Sequence, residues 1–163
     1  MEALSHSVEE TEQLGAELAQ QLQPGDVLAL TGEIGAGKTT FARGLAQGLG
    51  IPAASVASPS FVLVRQHSSG RMPLYHADLF RLDNLPQAAN VGLEECYEAG
   101  GVTLIEWGNK VPGVLPEEFL EIRFDLLDSQ SRRISLIPHG LRYEQRLEKG
   151  SDPFGGKRCQ VTK

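Results

Sequence analysis

Eight consecutive residues, Gly32-Glu33-Ile34-Gly35-Ala36-Gly37-Lys38-Thr39, fit the spacing G-x-x-x-x-G-K-[ST] at every fixed position. Each of those positions has a chemical reason. Glycines permit positive φ, which turns successive backbone N–H groups inward as a nest for an anion. A helix beginning at the end of the loop adds the partial positive charge of its N-terminus. Lys38 can reach the β- and γ-phosphates of a nucleoside triphosphate, and the Thr39 hydroxyl can ligate Mg2+. The pattern therefore predicts a phosphate-binding loop in which Gly35, Ala36, Gly37, Lys38 and Thr39 hold the phosphates of a nucleotide. Bound Mg2+ also calls for a carboxylate at the end of a neighbouring strand. Two residues qualify. Glu106 follows the apolar run Val102-Thr103-Leu104-Ile105, and Asp78 lies in Tyr75-His76-Ala77-Asp78-Leu79-Phe80-Arg81.

These side chains need elements to position them. Val27 to Thr31 is a short, nearly continuous apolar run, as suits a strand buried on both faces of a parallel sheet. A helical pattern runs from Thr39 to Leu49, closed by Gly50 with Pro52 beyond it. Upstream, Ser7-Val8-Glu9-Glu10 reads as a capping box, followed by Leu14, Leu18 and Leu22 along one helical stripe and a turn at Gln23-Pro24-Gly25-Asp26. Downstream, Phe61 to Val64 and Met72 to Phe80 flank Ser68-Ser69-Gly70 as a hairpin. Asp83 to Glu98 is helical in pieces, with Leu93, Cys96 and Tyr97 facing a core, and Gly100-Gly101 precedes the strand that ends at Glu106. Leu120 to Phe124 and Arg133 to Ile137 alternate and read as a half-exposed antiparallel pair. A short helix is expected after His139-Gly140. The expected fold is α/β: a nucleotide-binding sheet with a parallel core, antiparallel added strands and helices on both faces. Residues 1–148 form one domain, and a polar, frayed tail occupies 149–163.

Composition bounds the function. A chain of 163 residues suits one domain. Its 15 Lys and Arg against 21 Asp and Glu leave a net charge of −6, which argues against a broad nucleic-acid face, since clustered cations must displace counterions from phosphates. Cys96 and Cys159 are too few and too far apart for a disulfide framework or a thiolate cage, so two free thiols in a reducing cytosol are expected. No apolar run approaches the ~20 residues of a membrane span, and the N-terminus lacks the pattern of a secretory signal. A cytoplasmic protein is expected.

Five spaced motifs carry a resemblance: GEIGAGKTTFARGL, SPSFVLV (Ser58 to Val64), YHADLFRL (Tyr75 to Leu82), GLEE (Gly92 to Glu95) and IEWGNKVPGVLP (Ile105 to Pro116). With the opening EETEQLG they make the chain similar to the TsaE family, also called YjeE, from about Ser7 to Ile137. Members are small ATPases that bacteria need to form N6-threonylcarbamoyladenosine at position 37 of tRNAs reading codons that begin with A. The resemblance implies that Lys38 binds the β,γ-phosphates, Thr39 and Glu106 hold Mg2+, and Thr40 continues the cradle. It implies that Asp78 positions or activates the attacking water, and that Trp107 is the aromatic beside the metal acid. Ser60 stands where the family usually has a switch-like Thr, keeping the hydroxyl without the methyl. Phe80 replaces the more usual Tyr and removes its hydroxyl. The adenine edge is assigned to the segment Ser7 to Thr11, with Asn109 and Arg132 touching the nucleotide from the far strands. Family members act on a complex of TsaB with TsaD, the latter transferring the threonylcarbamoyl group. The implied enzyme is thus an ATP hydrolase, slow without its partners, that meets tRNA only indirectly.

Other classes fit less well. Asn109-Lys110 resembles the start of a guanine-reading N-K-x-D, but its fourth position is Pro112. Small-molecule kinases usually carry an Arg-rich lid, whereas the adjacent pair Arg132-Arg133 sits in a hairpin pattern. A nucleotide-gated binding module with negligible turnover stays open. His76 reads as a strand histidine that holds backbone or a neighbouring acid, and His6, His67 and His139 form no ligand spacing with it.

Overall fold

A computed structural model of the chain describes residues 1–59, 61–150 and 152–154. Within these, seven strands form one sheet in the order β1-β7-β6-β2-β5-β4-β3. The apolar run expected to be buried becomes β2 (Val27–Gly32), whose first five residues are all buried. It lies parallel to β5 (Val102–Glu106), with Leu30 opposite Glu106, and parallel to β6 (Phe119–Leu126) on its other side. β4 (Leu74–Asp78) extends the parallel core beside β5 and sets Asp78 opposite Glu106. The additions are antiparallel: β3 (Val64–His67) on β4, β7 (Arg132–His139) on β6, and β1 (Glu2–Ser5) on β7. This is the expected sheet.

Helices cover both faces. The helix α1 (Val8–Ala19) starts at Ser7, whose side chain accepts from the Glu10 amide at 3.1 Å. The return arm of the capping box lands one residue early, because the Glu10 carboxylate accepts from the His6 amide. Together α1, α2 (Lys38–Gly48) and α5 (Leu141–Lys149) pack on the face carrying Leu28, Leu30, Leu104 and Ile122. The shorter α3 (Leu85–Ala89) and α4 (Leu93–Glu98) bury Ala88 and Leu93 on the opposite face, against Val27, Ala77 and Ile105. Close approach of α1 and α2 requires Gly44: a Cβ there would lie 1.9 Å from the Glu12 carbonyl oxygen.

Three segments differ from the sequence expectation. The strand expected from Phe61 begins only at Val64. The Val62 and Leu63 amides both donate to the Pro59 carbonyl in a turn, Leu63 takes φ +68, and Phe61 is 83% exposed. The first residues, read only for the lack of a signal pattern, form β1 with alternating burial. Of the polar tail expected from Lys149, Lys149 itself closes α5 and Phe154 is fully buried in the core, while Ser151 and residues 155–163 lie outside the described residues.

The last helix is tied to the start of β2 through Asp26, whose side chain is fully buried. Its carboxylate accepts from Arg142 at 2.9 Å, Arg146 at 2.6 Å, the Gln23 amide at 2.8 Å and the Tyr143 hydroxyl at 3.3 Å. The same hydroxyl accepts from the Val27 amide.

Candidate nucleotide site

The strand β2 delivers the chain to a loop that only glycine can trace cheaply. Gly35 takes φ +80 and Gly37 +107, the left-handed region in which other residues are strained. Gly37 is the N-cap of α2 and so opens the helix N-terminus toward the loop. A Cβ at Gly37 would also sit 2.8 Å from an Arg132 guanidinium nitrogen, which places that cation against the cradle.

Lys38 folds back over the loop. Its ammonium donates to the Gly32 carbonyl at 2.7 Å and the Glu33 carbonyl at 2.8 Å, and lies 4.1 Å from the centre of the Trp107 ring. Burial pushes its pKa below the ordinary lysine value, and the nearby Glu106 and Asp78 carboxylates oppose the shift. Trp107 holds a left-handed backbone, φ +63, directly after the strand-end acid, and its ring lies 5.1 Å from that of Phe80. Strained non-glycine backbone of this kind costs energy that the surrounding fold must supply.

The two acids sit side by side. Asp78 and Glu106 are each 2% exposed at the ends of adjacent strands. The Thr39 hydroxyl lies 3.1 Å from both Glu106 oxygens. Asp78 accepts from the Ser58 hydroxyl at 2.5 Å and from the Phe80 amide at 2.8 Å. His76, fully buried, places Nε2 2.8 Å from Glu106 Oε1.

A cavity of about 500 Å3 joins these groups, lined by Gly35, Gly37, Lys38, Thr39, Thr40, Asp78, Glu106 and Arg132 among the expected site residues. Val8, Ile34, Ser58, Phe80 and Trp107 complete its wall. Ala36 is buried beneath the loop, where its amide donates to the Glu33 carbonyl. Thr11 is likewise fully buried, its hydroxyl held by Ser5 and the Ser7 carbonyl, so within the segment Ser7 to Thr11 it is Val8 that reaches the cavity. Asn109 falls elsewhere. A short 3-10 turn, Gly108–Lys110, carries it to a neighbouring concavity lined also by Glu33 and Arg123. Ser60 lies outside the described residues. Ser58 was not singled out from the sequence, although it lies in the quoted SPSFVLV segment.

The donor set suits Mg2+ supplied together with phosphates. Thr39 and Glu106 offer hard oxygen atoms, and among the described residues no group of three or more His, Cys, Asp or Glu side chains could cage a metal. Mg2+ is usually held by one or two protein oxygens, substrate phosphates and water.

The family profile described as "Threonylcarbamoyl adenosine biosynthesis protein TsaE" matches residues 5–134. The chain belongs to the TsaE family. A protein named tRNA threonylcarbamoyladenosine biosynthesis protein TsaE from Bacillus subtilis is 39% identical over 140 residues, 86% of this chain and 87% of that one. Its namesake from Treponema pallidum is 38% identical over 136 residues, 83% and 99% of the two chains. The crystal structure of Bacillus subtilis YdiB superposes with a TM-score of 0.77 at 36% identity, covering 91% of this chain and 92% of that one. The matched span of this TsaE chain contains the loop, both acids and Arg132. Among the described residues no helix is long and apolar enough to cross a membrane.

Proposed function

We propose that this TsaE protein serves threonylcarbamoyladenosine formation at position 37 of tRNA as a Mg2+-dependent ATPase acting on a TsaB–TsaD complex. The observation that carries the reading is the Thr39–Glu106 pair at the mouth of the glycine loop, with Lys38 and Asp78 on the same cavity. The glycine loop and the start of α2 bind the phosphates through backbone N–H groups, and Lys38 adds charge at the β- and γ-positions. When bound, Mg2+ neutralises charge that develops on the β- and γ-phosphate oxygens. Thr39 and Glu106 hold it; Asp78 accepts a hydrogen bond from the attacking water and orients it in line with the γ-phosphorus. Trp107 and Phe80 form an aromatic wall that excludes other water. Ser60 keeps the hydroxyl of the family's switch-like Thr, and its role toward the γ-phosphate rests on that resemblance. The net charge of −6 favours contact with a protein complex over direct contact with tRNA.

Steady-state phosphate release tests this. The purified protein is expected to hydrolyse ATP slowly, and addition of TsaB and TsaD is expected to raise the rate at least tenfold, since partner docking can complete a catalytic site. An unchanged rate at saturating TsaB and TsaD refutes the coupled ATPase.

A further inference from the structure

Among the described residues, His76 pairs with a site carboxylate and has no other polar partner. It occupies β4 two residues before Asp78, so the two side chains share the sheet face that α2 covers. Glu106 shares that face too, being two residues beyond Leu104 and directly opposite Asp78. The imidazole is fully buried. Nε2 contacts Glu106 Oε1 at 2.8 Å, while Nδ1 is buried without a partner among the described residues. A core site with no further purpose would take an apolar side chain and leave no ring nitrogen unsatisfied. The one interaction His76 gains for that penalty is with Glu106.

We propose that His76 is a positioning residue for the Glu106 carboxylate. Because a carboxylate oxygen can only accept, Nε2 donates, and the bond fixes Oε1 and with it the side-chain rotamer. Thr39 approaches both oxygens at 3.1 Å, so Oε2 and the Thr39 hydroxyl face the cavity together as a preset pair for a divalent cation. Without the imidazole the carboxylate would be held only by the hydroxyl, which itself must turn to the metal. Partners that orient a metal ligand in this way typically govern metal affinity by 10–100-fold. This inference rests on the Mg2+ reading of the site, and the test below separates the two.

The full chain is titrated with Mn2+ in the presence of ADP, and bound metal is read by electron paramagnetic resonance. Nucleotide affinity without metal and thermal unfolding are measured alongside. His76→Leu is expected to weaken Mn2+ about tenfold or more, with metal-free ADP affinity within twofold of wild type. His76→Gln, which retains an N–H donor near the position of Nε2, is expected to recover most of the loss. Glu106→Gln serves as the reference for loss of the ligand itself. Wild-type Mn2+ affinity in His76→Leu, with Glu106→Gln weakened, overturns the positioning role and leaves the metal site intact. Unweakened Mn2+ in Glu106→Gln overturns both readings. Should His76→Leu fail to fold, His76→Gln decides: Mn2+ affinity as poor as in Glu106→Gln, in a chain that unfolds at the wild-type temperature, overturns the donor argument.

Discussion

Replacing Lys38 with methionine separates what this side chain does for nucleotide from what it does for the fold. The ammonium makes bonds of 2.7 and 2.8 Å to the loop carbonyls of Gly32 and Glu33, so it reaches the loop mouth where phosphate oxygens are expected. Hydrogen bonds to a charged group contribute roughly 1.5–3 kcal/mol each. Loss of two such bonds to phosphate amounts to about 3–6 kcal/mol, or ~100- to 10,000-fold in Kd. The buried Asp78 and Glu106 carboxylates would then face the phosphates without the neighbouring cation, which pushes the effect toward the upper end. Fold stability moves little. Burial already disfavours the charged ammonium, so methionine relieves desolvation. Glu33 is exposed and Gly32 half-buried, so water can take over at the two carbonyls. These terms offset to within about 1 kcal/mol, a shift of ~2–4 °C in Tm for a chain of this length. Calorimetric titration with a non-hydrolysable ATP analogue and thermal unfolding without nucleotide measure both. Affinity for the analogue within threefold of wild type refutes the phosphate assignment; a Tm lowered by 10 °C shows that Lys38 is instead a structural strut.

Two further outcomes test the frame around the site. Asp26→Ala removes an acceptor shared by Arg142, Arg146, Tyr143 and the Gln23 amide. Breaking a buried ion pair costs ~3–5 kcal/mol, but the Arg142 and Arg146 side chains are 39% and 21% exposed and can hydrate, so about 2–3 kcal/mol and a Tm lower by ~5–10 °C are expected. A loss below 2 °C in thermal unfolding contradicts that tether. Glu121 gives a pH signature: burial raises its pKa, but hydrogen bonds from His139, Thr31 and Arg123 outweigh burial and hold it below the ordinary 4.5. A depressed carboxylate pKa stabilises the fold above the unfolded value, and that contribution is lost as pH falls below about 4.5 through the folded value. In urea unfolding, the advantage of wild type over Glu121→Gln is therefore expected to shrink between about pH 5 and pH 3. A constant advantage across that range removes the pairing argument.

Chemistry that is local in sequence was legible; chemistry that depends on pairing was less so. The glycine loop, Lys38 and Thr39 lie within eight residues, and the helix that follows is enforced by the same segment. Strand-end acids could be found because an ionisable residue closing an apolar run is uncommon, and both Asp78 and Glu106 reach the cavity. Asn109, assigned to the nucleotide by the resemblance, lies off the main cavity for a geometric reason. It follows Glu106 by only three residues, but Trp107 takes the left-handed region and the 3-10 turn carries Asn109 to the next concavity. Thr11, assigned to the nucleotide by the resemblance, keeps its hydroxyl on Ser5 and the Ser7 carbonyl, while Val8 of the same segment lines the cavity. The short β1 has too few residues to show a period, and its pairing with β7 is set across some 130 residues. His76 was read as holding backbone or an acid; which acid followed only from the parallel register of β4 and β5.

That register carries most of the site's chemistry. Side chains alternate faces along a strand, so His76 and Asp78 share one face, and Leu104 and Glu106 share the same one across the pair. Leu30 of β2 lies opposite Glu106, and the chain leaves β2 two residues later to enter the loop. Glu106, Asp78, His76 and the start of α2 thus meet at one end of one sheet face, without any bend or bulge to bring them there. A one-residue slip of β5 against β2 and β4 would turn Glu106 toward the face covered by α3 and α4 and set Ile105 facing Thr39. The apolar run Val102 to Ile105 forbids that slip only weakly, because it is buried on both faces. What opposes it is polar: the bonds of Glu106 to Thr39 and His76 exist in one register alone. The residues proposed to bind the nucleotide and metal therefore also fix the strand alignment on which that binding depends.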